Sequence, residues 1–189
     1  MNRYLSSLVA GLAGAALAVS PAQAAPRPVP EAVMLQSADL GGAQPGPVEP
    51  DLIHPLLPQP CADAPVPQPI AQRSLVADYD PRHRVYENVG RYRPGGAQAY
   101  LAALKDQLAR CRAGGDETGF RGIAEDTAGP DTVLFIRQYD EGDRWAAYLV
   151  AAVGRYVVVV LVTDPVVGAG DYTIVNDFGR AAIDRARAT

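Results

Sequence analysis

Histidine is almost missing from this 189-residue chain, which has two, His54 and His83. A nucleophilic triad or a histidine-ligated metal site would have to be built around one of them. His54 lies in a proline-rich stretch and His83 at the start of a candidate strand. Neither Ser37 nor Ser74 lies in the Gly-x-Ser-x-Gly setting of a hydrolase nucleophile. The sequence therefore predicts no catalytic residue, no metal site and no cofactor.

Hydrophobic runs are also short, whereas a transmembrane helix needs about 20 apolar residues. The longest candidates are residues 8–19 (LVAGLAGAALAV) and the run from 156 to 162 (YVVVVLV). The first run follows Arg3 and precedes Ala22-Gln23-Ala24, the order found in a secretory signal peptide. We expect cleavage after Ala24 and a secreted mature chain without a membrane span.

The chain lacks the positive charge that a nucleic-acid partner requires. Its formal net charge is −4 at pH 7. Neutralising phosphates takes a basic surface, and adsorption to an anionic membrane takes one as well. We therefore expect neither nucleic acid nor an acidic membrane surface as a partner.

Only two cysteines are present, Cys61 and Cys111. An even number of cysteines in an exported chain favours a disulfide. A redox or metal-binding pair would need neighbouring thiols or histidines at ligand spacing, and neither cysteine has them. The sequence predicts a structural Cys61–Cys111 bridge.

Proline marks the division of the chain. Twelve of the seventeen prolines lie between Pro26 and Pro69. Such a stretch makes few regular backbone hydrogen bonds and runs extended. We expect a signal peptide over 1–24, a proline-rich arm over 25–66 with a short amphipathic helix near 31–40, and an α+β domain over 67–189. Because Cys61 lies in the arm, the bridge would pin the arm to the domain.

The domain shows alternating helical and strand patterns. Apolar residues recur at intervals of three and four from Ala97 to Cys111, and again after Asp171, which predicts two helices. Strands are expected at 70–79, 83–93, 118–125, 132–139, 144–153 and 155–163. The uninterrupted apolar run at 156–162 favours a central strand. The expected fold is an antiparallel sheet of about five to six strands with two main helices packed on one face.

Aromatic and arginine side chains on the predicted strands form a possible ligand-binding set. If they converge, they offer planar donors and stacking surfaces to an anionic or sugar-like ligand. Strand alternation instead favours a split between the two faces, with arginines in water and tyrosines on the core. The candidates are Tyr86, Arg91, Arg137, Tyr139, Trp145 and Tyr148.

Carboxylates support a weaker alternative, a secreted hydrolase that uses Glu87, Asp140 or Asp143. That alternative requires two carboxylates, or one with His83, to converge in a concave pocket with raised pKa. Asp140 and Asp143 flank Gly142 without the ligand spacing of an EF-hand, so a solvated hairpin tip explains them better.

Several segments resemble the extracellular sensor domain of PknH-type actinobacterial receptor kinases and the exported sensor-domain proteins related to it. The matching features are residues 34–40 (MLQSADL), a cysteine after a proline-rich arm, residues 85–104 (VYENVGRYRPGGAQAYLAAL), Cys111 and residues 153–161 (VGRYVVVVL). The resemblance covers most of residues 31–189.

This resemblance implies an extracytoplasmic sensing or binding module with a disulfide-braced α+β fold and a cleft between sheet and helices. We therefore expect a secreted, non-catalytic protein whose partner is an extracellular small molecule or a cell-envelope component. The alternatives are the hydrolase and a structural envelope protein in which the arm makes the contact.

Overall fold

One antiparallel sheet with two helices forms the body of the protein. The computed structural model describes residues 27–61, 64–113, 120–139, 144–163 and 172–189. The elements are β1 (Ala71–Asp78), β2 (Arg84–Arg91), α1 (Gly96–Ala113), β3 (Phe120–Glu125), β4 (Thr132–Tyr139), β5 (Arg144–Val153), β6 (Tyr156–Thr163) and α2 (Tyr172–Arg187). The six strands lie in the order β1-β2-β6-β5-β4-β3. This confirms the α+β class, and Cys61 and Cys111 form the expected disulfide.

Strand β6 lies inside the sheet, between β2 and β5. Every residue from Val157 to Val162 has 0% exposure. A strand covered on both faces shows a continuous apolar sequence instead of alternation, and β-branched valines suit that position. The predicted central position is confirmed.

The two helices pack on opposite faces of the sheet. The α1 side chains Tyr100, Leu104 and Leu108 share a core with Val157, Val159 and Leu161. The α2 side chains Val175, Phe178 and Ile183 share another with Val158, Val160 and Val162. The expectation of both helices on one face was therefore wrong. Because β6 is apolar on its odd and its even positions, each face requires its own cover.

The helix expected near 31–40 is reduced to a 3-10 helix over Glu31–Val33. Two local features stop it from continuing. The Gln36 N–H donates to Asp39 Oδ2 at 2.8 Å, a side-chain bond that competes with helical pairing. Gly41 and Gly42 then have φ angles of 64° and 96°, which reverse the chain.

The proline-rich arm wraps around the β1 edge of the sheet. Val33, Met34 and Leu35 are buried on the α2 face. Gly46 then forms an antiparallel bridge with Val76 at the edge, and the following segment packs on the α1 face. The arm thus contributes to both cores. The division of the chain into an arm over 25–66 and a separate domain over 67–189 stays a prediction.

Three buried side chains of the body hold the arm on the α1 face. The Asn88 amide donates to the Leu56 carbonyl at 3.2 Å. The Tyr100 hydroxyl donates to the Pro58 carbonyl at 2.9 Å, and the Gln107 amide donates to Ala64 at 3.1 Å. These bonds satisfy arm carbonyls where proline prevents regular pairing.

Within the part of the chain that the structure describes, neither helix has the length and apolar character required to cross a bilayer. The expected signal peptide, the hairpin tip at Gly142 and Asp171 lie outside the described residues.

Candidate functional site

Three of the predicted ligand-binding residues lie on the α1 face and pack in or against the core there. Tyr86 is 4% exposed and Tyr148 is fully buried. The Tyr148 ring stacks on Phe135, with centroids 4.9 Å apart and planes 6° apart. The Arg137 guanidinium lies 5.2 Å from the centroid of Phe120. Packing explains this group without a ligand.

Arg91 and Trp145 lie on the α2 face, at opposite ends of the sheet. Arg91 pairs with Tyr156 at the last position of β2, whereas Trp145 pairs with Gln138 near the start of β5. Strand alternation thus divides the described members of the set between two faces, and they form no common cluster. The side chain of Tyr139 lies outside the described residues. A ligand role for any one of these residues stays a prediction.

Arg91 nevertheless belongs to a different concave site. A cavity of about 520 Å³ lies where β2 ends, the β5–β6 turn begins and α2 ends. We call it the arginine pocket, and its lining residues are Arg91, Val153, Gly154, Arg155, Tyr156, Ala186, Arg187 and Thr189. Sequence reasoning found Arg91 alone, because only the pairing of β6 with both β2 and β5 brings these ends together.

The β5–β6 turn presents Arg155 at this pocket. Val153 pairs with Tyr156, so Gly154 and Arg155 form a two-residue hairpin turn. Gly154 has a φ of 57°, the left-handed conformation that such turns require. Arg155 is exposed. The pairing of β5 with β6 therefore places Arg155 at the wall of this pocket.

Among the described residues, acidic side chains neutralise the positive charge of the pocket only weakly. Arg91 donates through Nη2 to the Arg27 carbonyl, while its buried Nε has no hydrogen-bond partner among the described residues. Arg187 contacts Asp184 at 3.5 Å, but both side chains are more than half exposed, so that pair contributes little. Arg187 also suits the C-terminal end of a helix. Arg91 and Arg155 do not lie at a helix end, so this effect does not explain their positions at the pocket.

Glu87 is the second unusual group, and it is fully buried on the α2 face of β2. Its Oε2 accepts the Leu35 N–H at 2.8 Å, whereas its Oε1 has no partner within the described ranges. Burial raises the pKa of Glu87 to about 8, and the nearby Asp39 carboxylate adds to the rise. The Leu35 amide and the Arg185 guanidinium act against it. The carboxyl is therefore mostly neutral at pH 7.

Asp39 and Arg185 join the arm to α2 beside Glu87. Arg185 Nε donates to Asp39 Oδ2 at 2.8 Å, and its Nη2 donates to Oδ1 at 3.2 Å. This two-bond geometry is the strong form of a guanidinium–carboxylate pair. The pair is partly buried, with side-chain exposures of 33% and 20%. It fixes the arm segment whose backbone Glu87 also binds.

This arrangement does not favour the hydrolase alternative. Glu87 has the raised pKa that an acid catalyst needs, yet neither it nor Asp39 lines the arginine pocket. His83 Nδ1 lies 2.9 Å from Asp80 Oδ2 in the β1–β2 turn. Asp140 and Asp143 lie outside the described residues. Among the side chains that can be described, no three His, Cys, Asp or Glu residues are grouped to hold a metal.

No family model matches the chain, and a search of the curated proteins finds no significant match.

Proposed function

We propose that this chain is a secreted, non-catalytic, sensor-like binding module that takes a small organic anion in the arginine pocket. The observation that carries the proposal is that three arginines from separate parts of the fold, Arg91, Arg155 and Arg187, line one cavity of about 520 Å³. One of them, Arg91, has a buried Nε that finds no partner in the described part of the chain. Cavities of this size suit small-molecule ligands.

The chemistry of the lining defines the ligand class. Guanidinium groups bind carboxylates and phosphates through paired N–H donors. Val153, Tyr156 and Ala186 add apolar surface to the same cavity. A ligand with an acidic group and an apolar portion fits both parts better than an inorganic ion does.

Secretion and family membership belong to the same proposal. The Cys61–Cys111 disulfide is typical of an oxidising compartment. The residues that resemble the PknH-type sensor domains include the β2 segment that ends at Arg91 and the β5–β6 turn that carries Arg155. An envelope role exercised through the arm is less favoured, because described arm residues are bound to the body on both faces.

Calorimetric titration of the secreted chain tests the proposal. The probes are aliphatic and aromatic carboxylates and phosphate monoesters, with neutral sugars of similar size for comparison. Arg155→Ala should weaken binding of the acids about tenfold, the usual effect of losing a hydrogen bond to a charged group. Arg82→Ala, which removes an exposed arginine from the β1–β2 turn at the opposite end of β2, should leave binding unchanged.

Two results would contradict the proposal. The first is the absence of binding by every acid in the panel. The second is binding of acids and neutral sugars with equal affinity and with no effect of Arg155→Ala.

A further inference from the structure

The outer edge of β1 is only partly covered by the arm. Gly46 N–H donates to the Val76 carbonyl at 2.8 Å, and Val76 N–H donates to the Gly46 carbonyl at 3.0 Å. The next arm residue is Pro47, which has no amide hydrogen and fixed backbone geometry. The arm then leaves the edge for the α1 face, so the pairing stops after a single bridge.

Beyond this bridge, backbone groups of β1 point outward from the sheet. In an antiparallel strand, alternate residues direct N–H and C=O to the same side. Since Val76 points to the arm, Ser74 and Gln72 point to the same outer side. Among the described residues, no backbone hydrogen bond reaches either of them there. An uncovered edge of this kind is a template for another strand.

A cavity of about 340 Å³ lies beside these open groups. We call it the edge cleft, and it is lined by Glu31, Met34, Leu35, Gln36, Pro45, Gly46, Pro47, Arg73, Ser74 and Leu75. Slightly more than half of its exposed wall is apolar. The charged groups in the lining, Glu31 and Arg73, are 3.4 Å apart and neutralise each other. The cleft therefore suits an uncharged apolar side chain.

We propose that the edge cleft binds an extended peptide segment of a partner protein. The segment pairs antiparallel with β1 at Ser74 and continues the line of the Gly46 bridge. One apolar side chain enters the cleft, and its neighbours face solvent, since side chains alternate along a strand. This is strand addition, in which backbone bonds give affinity and the pocket gives selectivity.

A short peptide fits the site better than a second copy of this chain. The open edge runs only from Ala71 to Ser74, since the arm covers Val76. Two copies paired antiparallel through β1 would place one arm segment at each end of the joint. That leaves about four residues of pairing per chain, below the usual strand length of five to six residues. The site is also separate from the arginine pocket, with which it shares no lining residue.

The test uses capped pentapeptides with threonine at alternate positions and one apolar residue at the centre. A panel varies that residue among Val, Leu, Ile, Phe and Met. Backbone NMR of the full chain should show the Ser74 and Gln72 amides shifting on titration. A peptide N-methylated at the amide facing β1 should bind about fivefold more weakly, because it lacks one backbone donor.

Paired variants isolate the edge of the protein. Ser74→Pro removes the outward amide, and its matched control Ser74→Ala keeps that amide while removing the side-chain bond to Asn88. Only Ser74→Pro should reduce binding. If Ser74→Pro fails to fold, the N-methylated peptides still test whether backbone pairing with β1 contributes to binding. The proposal is overturned if no peptide in the panel binds, if N-methylation has no effect, or if the chain dimerises through this edge.

Discussion

Glu87 shows how one side chain links the arm to the sheet. It lies between Val85 and Val89, which face the same core, so its buried position follows from strand alternation. Its best bond is to the backbone of Leu35 in the arm. A buried acid with one unpartnered oxygen favours its neutral form. Burial of Glu87 between the arm and the sheet therefore favours its protonated form.

The pH dependence of stability follows from this carboxyl. Folding raises the pKa of Glu87 from its ordinary 4.5 to about 8. Between these values the native state keeps a proton that the unfolded state has lost, so Glu87 makes stability fall as pH rises, by at most about 1.4 kcal/mol per pH unit. Glu87→Gln keeps an oxygen for Leu35 N–H and cannot ionise. Urea unfolding from pH 5 to 8.5 should show a shallower decline for Glu87→Gln.

Glu31→Gln is the matched control, because Glu31 is 80% exposed. It should leave the pH slope of the wild-type protein unchanged. Parallel pH profiles for the wild type and Glu87→Gln would show that the carboxyl is not buried as described.

At the scale of elements, α2 approaches the sheet closely at Gly179. A Cβ built there would lie 2.7 Å from both methyl carbons of Leu149 on β5. Gly179→Leu should therefore lower the free energy of unfolding by about 2 kcal/mol, the usual cost of overpacking a core. Denaturant unfolding measures the change. Asp177→Leu, on the exposed side of α2, should have little effect, and equal stabilities for the two variants would contradict this packing.

Most elements could be predicted from sequence patterns, but not their arrangement. The strand bounds agree with prediction within a few residues because turn residues such as Pro81 and Gly154 mark them. The face on which α2 packs could not be read from α2 itself. It follows from β6, whose odd and even positions are equally apolar and so demand cover on both sides. The helix expected near 31–40 covers only 31–33. The Gln36 N–H pairs with the Asp39 side chain, and the apolar pattern does not reveal that bond.

The candidate sites were harder to predict because they depend on which strands pair and on where the arm meets the sheet. Arg91 lies in a recognisable strand, but Arg155 and Arg187 come close to it only when β6 pairs with both neighbours. The edge cleft likewise needs the arm to return to β1 at Gly46. Nothing in the local pattern of residues 45–47 indicates that contact. Long-range pairing thus creates both cavities.

At the scale of the whole molecule, the arm is held by different means on the two faces. On the α1 face, three side-chain bonds and the Cys61–Cys111 disulfide hold the segment after Val48. On the α2 face, buried side chains, Glu87 and the Asp39–Arg185 pair hold residues 29–40. The disulfide should therefore protect one half of the arm more than the other.

Replacing both cysteines by alanine tests that asymmetry. The bridge spans 50 residues, so its loss should lower the free energy of unfolding by up to about 4 kcal/mol through the freer unfolded chain. Hydrogen exchange should also quicken at Leu52 and Leu57 beyond this global change, because the arm there is no longer tethered covalently to α1 and opens locally more easily. Leu35, bonded to Glu87, should follow the global change alone. Wild-type protein reduced by dithiothreitol serves as the control and should give the same pattern, whereas equal local effects on both faces would contradict the division of roles.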